Sequence, residues 1–152
     1  MVKDNFLNSN ITINKKNNKK IYIDRHDADI NNLLQRSITN EDEVKRYLLK
    51  NNFVSSKLHE INFKAQVDLF HKAECIVGLH GAGFANIVFC KPGTKVIELR
   101  SSNAGPMYEN VAKKNDLNYK SIVIEPSNKT FPNQQGHIEV PIGNLKKILE
   151  SK

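Results

Sequence analysis

The sequence predicts an α/β fold, a Rossmann-like parallel sheet with helices on both faces. Three observations point there. Short apolar runs such as KIYI (Lys20 to Ile23), CIVGL (Cys75 to Leu79) and KVIEL (Lys95 to Leu99) have strand length and strand-forming residues. Segments with helical spacing of apolar residues lie between such runs. The alternation of strand and helix, at spacings fit for βαβ units, calls for crossovers and therefore parallel pairing. At 152 residues the chain is the size of one domain able to bury a real core, and it shows no internal repeat.

Residues 1–18 are polar, Asn-rich and aperiodic, and read as a flexible or linker-like N-terminal arm; residues 19–152 read as the folded domain. Lys20 to Ile23 is the first strand, with Asp24, Arg25 and His26 at its end. Ile30 to Ser37, carrying Arg36, fits a short helix or an ordered loop. Thr39 or Asn40 followed by Glu41, Asp42 and Glu43 opens a helix with acids in its first turn. Val44, Tyr47 and Leu48 share one face, and Asn51-Asn52 stops it. The two glutamates serve the helix terminus rather than acid–base chemistry. Phe53 to Leu58 is the second strand. Asn62 then opens a helix from Phe63 to Ala73, with Val67, Leu69, Phe70 and Ala73 toward the core, while His59 and His71 read as surface residues.

Cys75 to Leu79 is the third strand, His80 to Gly83 a glycine-rich turn, and a short apolar helix starts near Phe84. Lys91-Pro92-Gly93 is turn chemistry ahead of the fourth strand, Lys95 to Leu99. Gly105 and Pro106 mark a break before a helix near Tyr108 to Lys114. Tyr119 to Ile124 is the fifth strand, and Pro126 to Gly136 a polar loop. Ile138 to Val140 is brief, and Pro141 fits the first turn of a last amphipathic helix carrying Leu145, Ile148 and Leu149.

Composition narrows the partners. With 23 basic and 16 acidic residues the net charge is +7, which favours anions. No arginine-rich block and no interleaving of aromatic with basic residues marks a nucleic-acid reader. Cys75 and Cys90 are too few and too unpatterned for a disulfide framework or a zinc site; in apolar runs they read as small buried hydrophobes. No apolar run is long enough to span a membrane and no signal peptide is recognisable, so a cytoplasmic protein is expected. The glycosylation sequons at Asn10 and Asn128 are then read as chance matches.

The chemistry gathers at Cys75 to Phe89, CIVGLHGAGFANIVF. A strand that runs into glycines and then a helix converges backbone N–H groups and the positive helix end on one point, which suits a phosphate. Gly81 and Gly83 let the backbone turn tightly and meet a ligand without an intervening Cβ. His80 stands at the carboxyl end of its strand, where open α/β sheets bind ligands. Arg25 ends the first strand at the same edge. Its planar fork suits phosphate oxygens, although for a lone arginine a surface salt bridge to Asp24 or Asp27 is the reading that the residues alone favour. Glu98 ends the strand after the turn, in the place where an acid about 20 residues on binds ribose hydroxyls; a salt bridge to Arg25 or Arg100 is the alternative. Asn86 stands where the third glycine of G-x-G-x-x-G would fall, which weighs against a dinucleotide oxidoreductase.

The run IVGLHGAGFANIVFCKPGTKVIEL, Ile76 to Leu99, resembles the signature of the family 61 glycosyltransferases, and upstream YIDRHDA and RSITNEDEV resemble that family's arginine-bearing strand end and the Asn-Glu that follows it. The resemblance covers roughly Lys20 to Ser101 well and the remainder loosely. It implies one half of a GT-B fold, the half that binds the donor, and metal-independent, inverting transfer from a nucleotide diphosphate sugar to a glycan or protein acceptor, in glycan or capsular polysaccharide synthesis. Arg25, His80, Gly81, Ala82, Gly83 and Asn86 would lie at the donor phosphates, Glu98 at the ribose, and His80 is also the candidate catalytic base. No cofactor and no metal site are expected. Since the match is to the C-terminal half, the chain is expected to need an acceptor-domain partner for turnover. A non-catalytic nucleotide-binding module is the alternative, and a dinucleotide-binding oxidoreductase the second.

Overall fold

A computed structural model of the protein describes residues 19–25, 36–127 and 136–152. The expected N-terminal arm, the segment Ile30 to Gln35, most of the loop before Gly136 and both sequons lie outside the described residues. In chain order the strands are β1 (Lys20–Ile23), β2 (Ser37–Ile38), β3 (Val54–Ser56), β4 (Cys75–Leu79), β5 (Lys95–Ser101), β6 (Asn118–Ile124) and β7 (His137–Ile138). The α-helices are α1 (Glu41–Lys50), α2 (Phe63–Lys72), α3 (Met107–Lys114) and α4 (Ile142–Glu150). Two 3-10 helices, Leu58–Glu60 and Ala82–Phe89, complete the set.

Five strands form one sheet in the order β3-β1-β4-β5-β6, and all of its pairs are parallel. After β1 the chain winds to one side for β3, then crosses to the other side for β4, β5 and β6. The gap between the carboxyl ends of β1 and β4 is therefore the point where the winding reverses, the place where such sheets bind ligands.

Alternation along each strand sends side chains to two cores. Tyr22, Cys75, Val77, Leu79, Ile97 and Leu99 pack under α1 and α4 with Val44, Leu48 and Leu145. Ile21, Ile23, Ile76 and Val96 pack on the opposite face with Phe70, Phe84, Ile87 and Ala112. The expectation of an α/β sheet covered on both sides is met. Both cysteines are buried and free, and burial raises the Cys75 thiol to about 11 and the Cys90 thiol to about 12.

Local chemistry explains most boundaries. Asn62 caps α2 by accepting from the Ala65 N–H at 2.9 Å. Asn40 precedes α1 but does not cap it; its amide donates to the Val140 carbonyl at 2.8 Å, and its oxygen accepts from the Val140 N–H at 2.9 Å. Those bonds tie α1 to the segment after β7. Glu41 accepts from the Tyr22 hydroxyl at 2.8 Å, and the other first-turn acids serve the helix end as expected. At the far end, Lys95 Nζ donates to the carbonyls of Ile148 (2.8 Å), Leu149 (3.1 Å) and Ser151 (2.5 Å), closing the C-terminus of α4 onto the sheet.

Three features differ from the sequence reading. The second strand is only Val54–Ser56, because Leu58 to Glu60 curl into a 3-10 turn. The helix after the glycine turn is 3-10 rather than α. Its burial repeats every three residues, with Gly81, Phe84, Ile87 and Cys90 inside, which fits the three-residue turn of that helix. Finally, β2 and β7 pair in parallel as a separate two-stranded sheet, with Ile38 and Ile138 in the first core. Among the described residues no helix is long and apolar enough to cross a membrane.

Gly78 sits in β4 directly beneath Phe84. A Cβ there would lie 2.9 Å from Phe84 Cε2 and 3.2 Å from the Ile23 side chain. Gly78→Ala is therefore expected to cost about 1–3 kcal/mol by overpacking, read as a lower urea midpoint with an unchanged slope. The buried thiols are expected to react with a disulfide reagent at neutral pH only when the protein is unfolded. Comparing native and denatured samples checks this.

Candidate anion-binding site

The carboxyl ends of β1 and β4 open onto a cleft of about 220 Å³, lined by Ile23, Asp24, Arg25, Leu58, His59, Leu79, Ala82, Gly83 and Phe84. Larger hollows lie at the amino end of the sheet around Lys20, Cys75 and Lys95 (about 340 Å³), beside β3 (about 400 Å³) and along β6 and α4 (about 490 Å³). None of those contains an arginine.

Arg25 leaves β1 and lays its guanidinium over Gly81, so close that a Cβ at Gly81 would stand 2.8 Å from Arg25 Nη1. Asp24 does not neutralise it. That carboxylate accepts from Lys45 Nζ at 2.5 Å and Ser55 Oγ at 2.8 Å. Arg36, just before β2, reaches the same turn, and its Nη1 donates to the His80 carbonyl at 2.9 Å. Burial, and after it the neighbouring charge of Arg25, lowers the Arg36 pKa. Among the described residues neither arginine forms an ion pair. Two like charges held at one turn without an ion pair among the described residues are an arrangement that an anion relieves, although the buried Glu98 carboxylate also acts on Arg36.

The turn itself departs from expectation in its physics. Gly81 has φ 167°, an extended conformation open to any residue, and Gly83 has no positive φ. The glycines supply room rather than special dihedrals: Gly81 admits Arg25, and a Cβ on Gly83 would meet Leu58 Cδ1 at 3.0 Å. The Phe84 N–H already bonds the Gly81 carbonyl at 2.9 Å. The N–H groups of Ala82 and Gly83 come before any intrahelical acceptor, so they face the cleft's end of the 3-10 helix.

His80 lies under the turn rather than on it, 1% exposed. Its N–H extends the β4–β5 ladder by donating to the Leu99 carbonyl at 2.8 Å. Its Nδ1 pairs with Glu98 Oε1, and the other oxygen, Oε2, accepts from the Tyr119 hydroxyl. Glu98 has no exposed surface. The carboxylate expected at the ribose is turned inward, with both oxygens bonded to neighbouring side chains. Its salt-bridge partner is His80, not Arg25 or Arg100, and Arg100 donates instead to the Gly105 carbonyl at 3.1 Å. His80, the candidate base, is buried, whereas a proton-accepting base comes within hydrogen-bond reach of the acceptor hydroxyl. Asn86 turns away from the cleft and donates to Gln66 Oε1 at 3.0 Å, joining the 3-10 helix to α2.

Four participants escaped the sequence reading. Arg36 sits outside any periodic run. Tyr108 was read only as a helix start, yet its hydroxyl donates to the Gly81 carbonyl at 2.6 Å and its ring meets His80 edge-on at 5.0 Å; burial raises its pKa. Tyr119 stands in the sequence only as the first residue of the fifth strand. His59, read as a surface residue, is exposed but stands at the cleft. For Tyr119 the relation is one of register: Glu98 and Tyr119 fall on the same face of adjoining parallel strands, where a buried acid needs a donor.

Comparison with known proteins bears on the whole arrangement. A family model described as Glycosyltransferase 61 matches residues 1–97, starting upstream of the Lys20 boundary read from the sequence. The EGF domain-specific O-linked N-acetylglucosamine transferase of Gallus gallus is 30% identical over 107 residues, 67% of this chain and 20% of that protein. The Mus musculus protein of the same name is 28% identical over the same share. The beta-1,2-xylosyltransferase RCN11 of Oryza sativa subsp. japonica is 27% identical over 126 residues, 77% of this chain and 22% of that protein. The chain spans about a fifth of the length of the curated relatives it matches.

Gly81→Ala should displace the flexible tip of Arg25 and little else. Its expected effect on folding is within about 0.5 kcal/mol, while inorganic pyrophosphate binding weakens about tenfold, or roughly 1.4 kcal/mol. Arg25→Ala is expected to lose on the order of 1.5–3 kcal/mol of anion binding with the fold intact. Calorimetric titration beside urea denaturation separates the two quantities.

Proposed function

Because the chain belongs to the glycosyltransferase 61 family, we propose that it forms the donor-binding part of an enzyme that transfers a glycosyl group from a nucleotide diphosphate sugar to an acceptor hydroxyl. The observation that carries the reading is the pair Arg25 and Arg36 converging, without ion pairs among the described residues, on the turn where the winding reverses. In transfer from such a donor, negative charge grows on the departing diphosphate. Fixed guanidinium groups and the first N–H groups of the 3-10 helix stabilise that charge without reorganising. Arg25 then serves as a charged fork, Arg36 as a second one anchored to backbone, and Ala82 and Gly83 as backbone donors.

The reading includes a GT-B, inverting and metal-independent enzyme acting in glycan synthesis, with the arginines supplying the positive charge at the diphosphate. Among the described residues no group of three or more His, Cys, Asp or Glu is placed to hold a metal ion. The burial of His80 favours a second reading, in which this chain holds the nucleotide sugar and the proton-accepting base comes from residues outside it, in the same longer protein or in a partner chain.

Thermal shift decides between the ligand classes. Nucleoside diphosphates and inorganic pyrophosphate are expected to raise the melting temperature, and a nucleoside or NAD much less. At about 100 times Kd the stabilisation is roughly 2.7 kcal/mol. A folded sample that binds no diphosphate sinks the reading, and NAD binding ahead of every nucleoside diphosphate would return the oxidoreductase. Incubation with donor sugars and an acceptor panel, followed by mass spectrometry, is expected to show slow hydrolysis at most. Multiple turnover by this chain alone would overturn the second reading.

A further inference from the structure

We propose that Tyr119 and Glu98 are positioning residues for the anion site, acting through His80 on the turn and on Arg36; the inference rests on the diphosphate reading above. The three side chains come from the neighbouring elements β6, β5 and the end of β4. Their bonds run in sequence: the Tyr119 hydroxyl to Glu98 Oε2, and Glu98 Oε1 to His80 Nδ1. Beyond His80 the chain continues through backbone, because its carbonyl accepts from Arg36 and the next carbonyl, that of Gly81, accepts from Tyr108. Both carbonyls that flank the start of the turn are therefore held by side chains, and the ring of one of these, Tyr108, also meets the imidazole edge-on.

Stability alone does not call for this arrangement. A buried charged or hydrogen-bonded polar pair replaced by well-packed apolar residues often leaves a fold as stable or more so, and Val96 and Ile97 fill the adjoining positions of β5 with apolar side chains. What the carboxylate adds is direction. An ionised carboxylate only accepts, so the ring nitrogen facing it carries the hydrogen, and the tautomer and ring plane of His80 are set. Tyr119 fixes the second oxygen, so Glu98 cannot rotate. A ring held in this way anchors the side chain of His80 beneath the turn, and with it the backbone segment whose carbonyl receives Arg36 beside Arg25. Neither Tyr119 nor Glu98 touches the cleft.

The experiment uses the whole chain, labelled with 15N. Long-range 1H–15N spectra read the tautomer of His80 without ligand, and calorimetry reads the affinity for inorganic pyrophosphate and for a nucleoside diphosphate. The wild-type ring is expected in the Nδ1–H form. Tyr119→Phe and Glu98→Gln are expected to shift the His80 ring signals and to weaken pyrophosphate about tenfold in the folded protein. Tyr119→Phe removes one oxygen from a half-buried residue, so it carries the test if Glu98→Gln does not fold. A lower melting temperature with unchanged pyrophosphate affinity would show a structural role and overturn the proposal, as would an Nε2–H ring in the wild type. If the wild type binds no diphosphate, the donor reading fails; the ring signals of Tyr119→Phe still decide the positioning, and unchanged signals overturn it.

Discussion

A carboxylate without any contact with water sits at the ligand edge of the sheet, and much of that edge follows from satisfying it. Leaving such a group unpaired would cost several kcal/mol. Glu98 avoids this with a donor on either side, one from each neighbouring element of the sheet. The solution depends on register. Gly78 pairs with Glu98 and Glu98 with Ser121, which puts residues 80, 98 and 119 on one face. A slip of one residue would turn Glu98 into the other core, among Ile38, Ile122 and Val140. The acid therefore specifies pairing as well as holding the histidine.

The same face shows how space is allocated around the turn. Gly78 leaves room for Phe84, Gly81 for Arg25, and Gly83 for Leu58. These three glycines thus act as absences of volume, letting a ring, a guanidinium and an aliphatic chain approach backbone closely. Phe84 in turn packs edge-on against Tyr108 at 5.4 Å. Packing of the second core and geometry of the anion site are consequently not separate matters.

Most of the fold was legible because its signals are local. Strand length, apolar alternation, the cap at Asn62 and the turn at Lys91 to Gly93 each act within a few residues, and the elements they mark are present. The misses share a different cause. β2 and β7 are two residues each and are joined across about a hundred positions, so no periodicity could reveal them. The 3-10 helix carried its signal in a three-residue spacing of Phe84, Ile87 and Cys90, which an α-helical template overlooks. At the site, the glycine turn and Arg25 were readable as an anion-binding edge. The partners of His80 and Glu98 were not, because one acceptor and two donors on separate elements declare themselves only once register is known.

The parallel arrangement has a consequence for how the chain assembles. Parallel neighbours cannot be joined by a tight hairpin, so every pairing in the five-stranded sheet waits for a crossover to close. β1 comes first in the described chain, yet it lies between β3 and β4 and finds both partners only after two helices have been made. Lys95 likewise meets the carbonyls of α4 more than fifty residues later. Such long-range contacts slow folding relative to local ones. The ligand edge at the ends of β1 and β4, with the Glu98 carboxylate of β5 bonded to Tyr119 near the start of β6, thus depends on contacts distant in sequence, and a chain halted before β6 would leave that acid without one of its donors.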